Sequence, residues 1–215
     1  MSISNNRELF IVDNSMSGWT AFKYLDEWCQ ISNSFDIATG FFEIGSLLDL
    51  DGSWQKLDKI RILMGDQTSR RTKQTLLNAL SILKNNTDEN IETVKNNNPF
   101  LNGLDSILEG IKSGKIEIRI YNESKFHAKA YITHAKLDVI GSKALVGSSN
   151  FTSPGLKQNI ELNIQVQSSS EVEELQKWFE EHWKKGKPAS EDIIKIITRH
   201  SRDYSPFEVF TKALH

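Results

Sequence analysis

Residues 126–161 read FHAKAYITHAKLDVIGSKALVGSSNFTSPGLKQNIE, and this stretch decides the fold. It places His127 and Lys129 two positions apart on a predicted strand, where alternate side chains point to the same face. A tight turn over residues 147–150 follows, and Glu161 comes on a further apolar strand. An imidazole, an ammonium, a hydroxyl, an amide and a carboxylate are therefore expected in one small polar pocket.

These residues resemble the signature of the phospholipase D superfamily, a His-x-Lys followed by Gly-Ser-x-x-Asn or a close variant. The matching pieces are His127-Ala128-Lys129, Gly147-Ser148-Ser149-Asn150-Phe151 and Glu161, which is similar to the carboxylate of the nuclease branch. They lie within a resemblance that runs from about Ser34 to about Lys185. The chain departs at one place, because His134 stands where the family has Asp, five residues after the Lys.

The residue types suit attack on a phosphodiester without a metal. Lys129 would supply positive charge to hold the anionic oxygens of the phosphodiester. Ser148, Asn150 and backbone N–H groups of the turn would act as hydrogen-bond donors to the same oxygens. The neutral imidazole of His127 would attack phosphorus, giving a covalent phosphohistidine, and a second, protonated imidazole would donate to the leaving oxygen. Glu161 would orient His127 through its other ring nitrogen. No cofactor is expected.

The chain carries a single His-x-Lys. Family members with one copy build the pocket across a two-fold axis, so the resemblance implies a homodimer in which each subunit lends His127, Lys129, Asn150 and Glu161. An isologous dimer brings identical patches together at the axis.

Structural alternatives exist for each residue. Ser148 and Asn150 can simply close a β-turn, and Glu161 can be a charge on an edge strand. His134 is interpreted as a solvated hairpin residue. A metal site from His127, His134 and Glu161 is disfavoured, since Lys129 is a poor neighbour for a cation.

Composition describes an ordinary globular protein. The 215 residues are 38% hydrophobic and 25% charged, with a formal net charge of −2, so any basic footprint must be local. The single cysteine, Cys29, excludes an internal disulfide framework and is expected to be buried and inert. No run approaches the roughly 18 apolar residues of a membrane span, and no signal peptide is evident, so a cytoplasmic protein without membrane contact is expected.

The predicted fold class is α/β, a mixed sheet flanked by helices, with a phospholipase D-like domain at 1–186 and a helical tail or connector at 187–215. The chain stops within a predicted helix, which favours a fragment of a longer protein, and the tail resembles the connector of bacterial proteins that continue into a helicase. The expected elements are strands at 7–12, 34–42, 59–64, 115–121, 126–133, 143–148 and 160–166, helices at 17–31, 43–50, 70–83, 99–112, 171–185, 190–200 and 206–215, a loop at 85–98 and a turn at 152–155.

Four cations are candidates for nucleic-acid contact. Arg70, Arg71 and Lys73 fall in the first turn of a predicted helix, where cations oppose the helix dipole, and Lys143 begins a strand. A solvated surface cluster explains the first three equally well.

The leading hypothesis is a metal-independent DNA endonuclease, of the kind found in restriction or phage defence. The alternative is a non-catalytic nucleic-acid-binding or dimerisation module of a larger helicase-type protein. A third hypothesis is a hydrolase of phospholipids or other phosphodiesters. DNA or RNA, single or double strand, and any recognition sequence all stay open.

Overall fold

The computed structural model describes residues 10–15, 19–65 and 99–189. The helix predicted at 70–83, with Arg70, Arg71 and Lys73, lies outside the described residues. So do the loop at 85–98 and the two helices predicted at 190–200 and 206–215.

Within these described ranges, the core is one mixed sheet of eight strands. Their order is β1-β7-β6-β5-β2-β3-β4-β8. Strands β2, β3 and β4 are parallel to one another, and the other pairings are antiparallel. The strands are β1 Ile11–Val12, β2 Ser32–Thr39, β3 Lys59–Gly65, β4 Ile116–Tyr121, β5 Lys129–Ala135, β6 Lys143–Gly147, β7 Asn163–Val166 and β8 Lys187–Pro188.

Helices cover both faces of this sheet, because the central strands are apolar on both sides. They are α1 Ala21–Ile31, α2 Ile44–Asp49, α3 Pro99–Lys112, α4 Ser153–Lys157 and α5 Ser169–Lys185. One buried cluster packs α1, α2 and α3 against the sheet, and a second packs α5 against the opposite face. The predicted α/β class, a mixed sheet flanked by helices, is confirmed.

Several predicted boundaries are wrong. Strand β5 begins at Lys129 rather than at Phe126, and β7 begins at Asn163 rather than at Ile160. The predicted turn at 152–155 is the start of a short helix, because the Thr152 hydroxyl accepts from the Gly155 amide and Pro154 suits the first helical turn.

Cys29 is buried, as predicted, and burial raises the pKa of its thiol to about 12. Among the described helices, none combines the length and the apolar composition needed to cross a membrane.

Candidate active site

His127 and Lys129 lie side by side at the start of β5. Although His127 precedes the strand, the ammonium of Lys129 is 3.0 Å from Nδ1 and 2.9 Å from Nε2 of its ring. The same ammonium donates to the His127 carbonyl at 3.0 Å. The predicted imidazole–ammonium pair therefore exists, with the His127 side chain exposed and Lys129 only 7% exposed.

The charge on Lys129 controls the protonation of His127. The ammonium of Lys129 holds the pKa of the His127 imidazole below its usual value, with smaller contributions from partial burial and from Lys125. Burial lowers the pKa of Lys129, and the charge of Glu161 partly opposes that shift. Near neutral pH the His127 ring is consequently neutral, which is the form that can act as a nucleophile.

Gly40, directly after β2, makes room for this pair. A Cβ atom at Gly40 would lie 2.9 Å from His127 Cδ2, 3.1 Å from His127 Cα and 3.3 Å from Lys129 Nζ. The group that approaches this glycine closely is the His127–Lys129 pair.

Ser148 and Glu161 meet at the same corner of the sheet. The Ser148 hydroxyl donates to Glu161 Oε2 and accepts from the Leu162 amide at 2.9 Å. Among the described residues, the Glu161 carboxylate thus pairs with Ser148 and does not form the expected bond to His127. Its closeness to Lys129 is seen only through the effect of its charge on the pKa of that ammonium.

Three backbone amides in and just after the turn are engaged within the protein. The amide of Ser148 donates to the Leu162 carbonyl at 3.0 Å, and that of Ser149 donates to Asn163 Oδ1 at 3.2 Å. The amide of Phe151 donates to Thr39 Oγ1 at 3.1 Å. These three amides are therefore not available to hold phosphate oxygens.

The side-chain amide of Asn150 uses its oxygen for a hydrogen bond within the protein. Its Oδ1 accepts from the Phe41 amide at 3.0 Å, which connects the turn to the segment after β2. This orientation directs the oxygen into the protein and leaves Nδ2 as the donor end for a bound anion.

Sequence reasoning missed two residues beside the turn. Asn163 and Tyr131 are both fully buried, and both hydrogen-bond Ser149. The one available signal was an asparagine at an inward-facing position of an apolar strand, where a polar group needs a partner.

His134 is not the solvated hairpin residue that was predicted. It lies on β5, and its Nε2 is 3.0 Å from Oδ2 of Asp36 on the neighbouring strand β2. Asp36 is only 1% exposed and also receives two bonds of 2.6 Å from the guanidinium of Arg61. A buried carboxylate is therefore present next to the position where the family signature has Asp.

The other predicted nucleic-acid contact, Lys143, lies far along the hairpin from His127. It pairs with Thr133 toward the opposite end of β5, and its ammonium sits 5.9 Å from the centre of the Trp28 ring. Across the described ranges, no cluster of three or more His, Cys, Asp or Glu side chains could hold a metal ion.

The fold and these residues define a class of protein, the phospholipase D-like domains. Residues 31–183 match the family described as "Cardiolipin synthase, PLD-like domain", and the chain belongs to this family. The membership confirms the predicted superfamily.

The solved structure of Nuc gives the same picture of the fold. The structure is similar to Nuc, a phospholipase D family member from Salmonella typhimurium, at 15% identity and a TM-score of 0.51, covering 83% of this chain and 95% of that one. NucT from Helicobacter pylori has 11% identity and a TM-score of 0.49, with coverage of 79% and 91%. Among curated proteins, no sequence matches this chain.

Proposed function

We propose that this chain is a metal-independent nuclease that cleaves DNA through a covalent phosphohistidine at a homodimer interface. One observation carries the proposal: an exposed, neutral imidazole lies against a nearly buried ammonium, with Ser148 and Asn150 in the turn and Glu161 bonded to Ser148. The charge needed to approach a phosphodiester anion comes from Lys129, a role that a metal ion fills in other enzymes.

The reaction proceeds in two steps. The lone pair of the His127 imidazole forms a bond to phosphorus, the bond from phosphorus to the leaving oxygen breaks, and that oxygen takes a proton from the partner subunit's His127. The partner subunit's His127, now neutral, then removes a proton from water. The resulting hydroxide displaces His127 from phosphorus, which restores one neutral and one protonated imidazole.

This cycle needs two histidines with opposite protonation states, and the chain supplies one His-x-Lys. A two-fold axis near His127 brings a second copy into the same pocket. Binding of the anion between the two ammonium groups favours protonation of the imidazole that does not attack, because it adds negative charge next to that ring.

An exposed apolar surface next to the site supports the dimer. We call it the β1–β7 surface, and it consists of Phe10, Ile11, Ile160, Leu162 and Ile164, all exposed large hydrophobic side chains. Ile11 and Ile164 are cross-strand neighbours, and Ile160 and Leu162 flank Glu161 directly. Association through such a surface would place the catalytic residues of both copies close to the axis.

DNA as substrate is inferred from the spacing of Glu161 after the turn, which resembles the nuclease branch of the superfamily. The same proposal includes a role in restriction or phage defence and a location in the cytoplasm. It also includes a helicase region that follows residues 187–215. The absence of the signature Asp motivated a non-catalytic alternative, and the buried carboxylate of Asp36 beside His134 weakens that argument.

Plasmid cleavage in EDTA tests the proposal. The wild-type protein should nick or linearise plasmid DNA in the presence of the chelator, and His127→Ala should not. Because His127 is exposed, its replacement should leave the circular dichroism spectrum and the melting temperature unchanged. Activity that disappears in EDTA and returns with a divalent cation would contradict the mechanism.

Trapping the intermediate is a second, independent measurement. Acid-labile, base-stable label from a phosphodiester substrate should appear on His127 after rapid quenching, and the Lys129→Gln variant should accumulate less of it. Salt-dependent retention of DNA without cleavage at any pH would instead support the binding-module alternative.

A further inference from the structure

We propose that Asn163 is a positioning residue that fixes the turn carrying Ser148 and Asn150 in its anion-binding geometry. The inference deepens the proposed function and rests on it. It assigns to a buried asparagine of β7 a task in the site, although Asn163 lies outside the His-x-Lys and Gly-Ser-Ser-Asn motifs.

Ser149 lies between Ser148 and Asn150, the two proposed anion ligands. Ser149 is 0% exposed, so it cannot itself contact a substrate. Its amide donates to Asn163 Oδ1 at 3.2 Å, and its hydroxyl oxygen lies 2.9 Å from Asn163 Nδ2. Its carbonyl accepts from the Tyr131 hydroxyl at 2.6 Å. Every polar atom of Ser149 is therefore held.

Asn163 connects this residue to the rest of the sheet. Besides Ser149, its Nδ2 donates to the Val12 carbonyl on β1 at 2.9 Å. The side chain uses both its acceptor and its donor, which an amide can do and neither a carboxylate nor an aliphatic group can. Contact at Gly147 is also close, since a Cβ atom there would lie 2.5 Å from Asn163 Cα.

The hydrogen bonds that fix the position of Ser149 also fix the positions of its two neighbours in the chain. Ser148 and Asn150 flank a peptide whose position is set by Asn163 on one side and Tyr131 on the other, so their side chains emerge from a fixed point. Because effective orientation of reacting groups depends on sub-ångström placement, a shift of this peptide would misplace both side chains together.

Gln165, two residues further along β7, provides a matched control. It faces the same side of the sheet and is also buried, yet neither its Nε2 nor its Oε1 has a hydrogen-bond partner. Removing the side-chain amide of Gln165 should therefore cost no hydrogen bond. Removing the side-chain amide of Asn163 breaks the contacts to Ser149 and leaves the backbone amide of Ser149 unsatisfied.

The experiment compares Asn163→Leu and Asn163→Asp with Gln165→Leu. Initial rates on bis-p-nitrophenyl phosphate give kcat and KM separately, and isothermal titration with tungstate measures binding of a phosphate-like anion. Both Asn163 variants should lose on the order of 10- to 100-fold in kcat and bind tungstate more weakly, while Gln165→Leu matches the wild type. Asn163→Asp keeps the size of the side chain and serves if Asn163→Leu does not fold.

The outcomes separate the two proposals. The positioning role is overturned if a folded Asn163→Asp protein keeps the wild-type kcat and tungstate affinity. It is also overturned if Gln165→Leu loses as much kcat and tungstate affinity as the Asn163 variants do. If the wild-type protein cleaves no diester, the proposed function fails, and tungstate affinity across the same three variants still decides the role of Asn163.

Discussion

His134 on β5 contacts the buried carboxylate of Asp36 on β2, with Nε2 3.0 Å from Oδ2. Arg61 on β3 completes the group, donates to both carboxylate oxygens and contacts Glu180 of α5 at 2.7 Å. Its guanidinium also lies over the rings of Phe179 and Trp183, 5.1 and 5.4 Å from their centres. The group thus joins three strands and the helix that covers them.

The stability of the fold should depend on pH through Asp36. Burial by itself raises the pKa of this carboxyl, but hydrogen bonds and charge from His134 and Arg61 outweigh it, and the net pKa is lowered. A lowered folded-state pKa stabilises the protein above the unfolded value, and that contribution is lost as pH falls through the folded one. We expect urea unfolding to show declining stability below about pH 4.

The Asp36→Asn variant isolates this effect. Because it leaves Arg61 facing a neutral group in a buried site, it should lower the free energy of unfolding at pH 7 by about 3 kcal/mol and reduce the acid dependence. Asp58→Asn is the control, since Asp58 is exposed. Equal unfolding midpoints for Asp36→Asn and the wild type would show that the group contributes nothing net.

Protonation of His127 should respond to Lys129. Because the ammonium of Lys129 lowers the pKa of the imidazole, Lys129→Gln should raise that pKa, and Lys125→Gln should raise it by less. Lys136→Gln, an exposed position just after β5, should leave it unchanged. Titration of the His127 ring by NMR measures all three. A pKa unaffected by Lys129→Gln would remove the physical basis for a neutral nucleophile.

The same shift predicts the pH dependence of cleavage. A lowered pKa keeps His127 neutral, and able to attack, at more acidic pH than an ordinary histidine. The acidic limb of kcat/KM should accordingly lie below pH ~6.5. It should move upward in any residual activity of Lys129→Gln, as measured with a small diester between pH 4 and 8.

Adding a methyl group at Gly40 should damage activity more than folding. In Gly40→Ala the new Cβ would press on His127 at 2.9 Å, so the imidazole must move away from its place beside Lys129. We expect a loss in kcat on the order of 100-fold. Gly45→Ala is the matched control, because no atom lies within 4 Å of a Cβ there. In helix α2 that change should stabilise the fold by about 0.5–1 kcal/mol. Equal kcat for the two variants would contradict this account.

Sequence patterns predicted the sheet and the His127–Lys129 pair because both are local. Apolar, β-branched runs mark β2, β3 and β5, and His127 and Lys129 stand two residues apart wherever the strand begins. The contacts of Asp36 with His134 and Arg61 could not be predicted from local patterns, since they depend on the order and register of the strands. Nor could the bond from Glu161 to Ser148, because it depends on how the turn meets the residues before β7.

We predict that two copies of the chain associate through the β1–β7 surface. Ile164 lies within this surface and is 40% exposed, so Ile164→Lys places a charge in the proposed dimer interface without opening the core. Light scattering should show a dimer for the wild-type protein and a monomer for the variant, and cleavage should fall with dimer content, because each pocket needs a second imidazole. Val139→Lys is the control: Val139 is 90% exposed in the β5–β6 connection, away from His127, and its replacement should change neither property. A monomeric wild-type protein with full activity would mean that one imidazole suffices, and the two-histidine reaction would have to be abandoned.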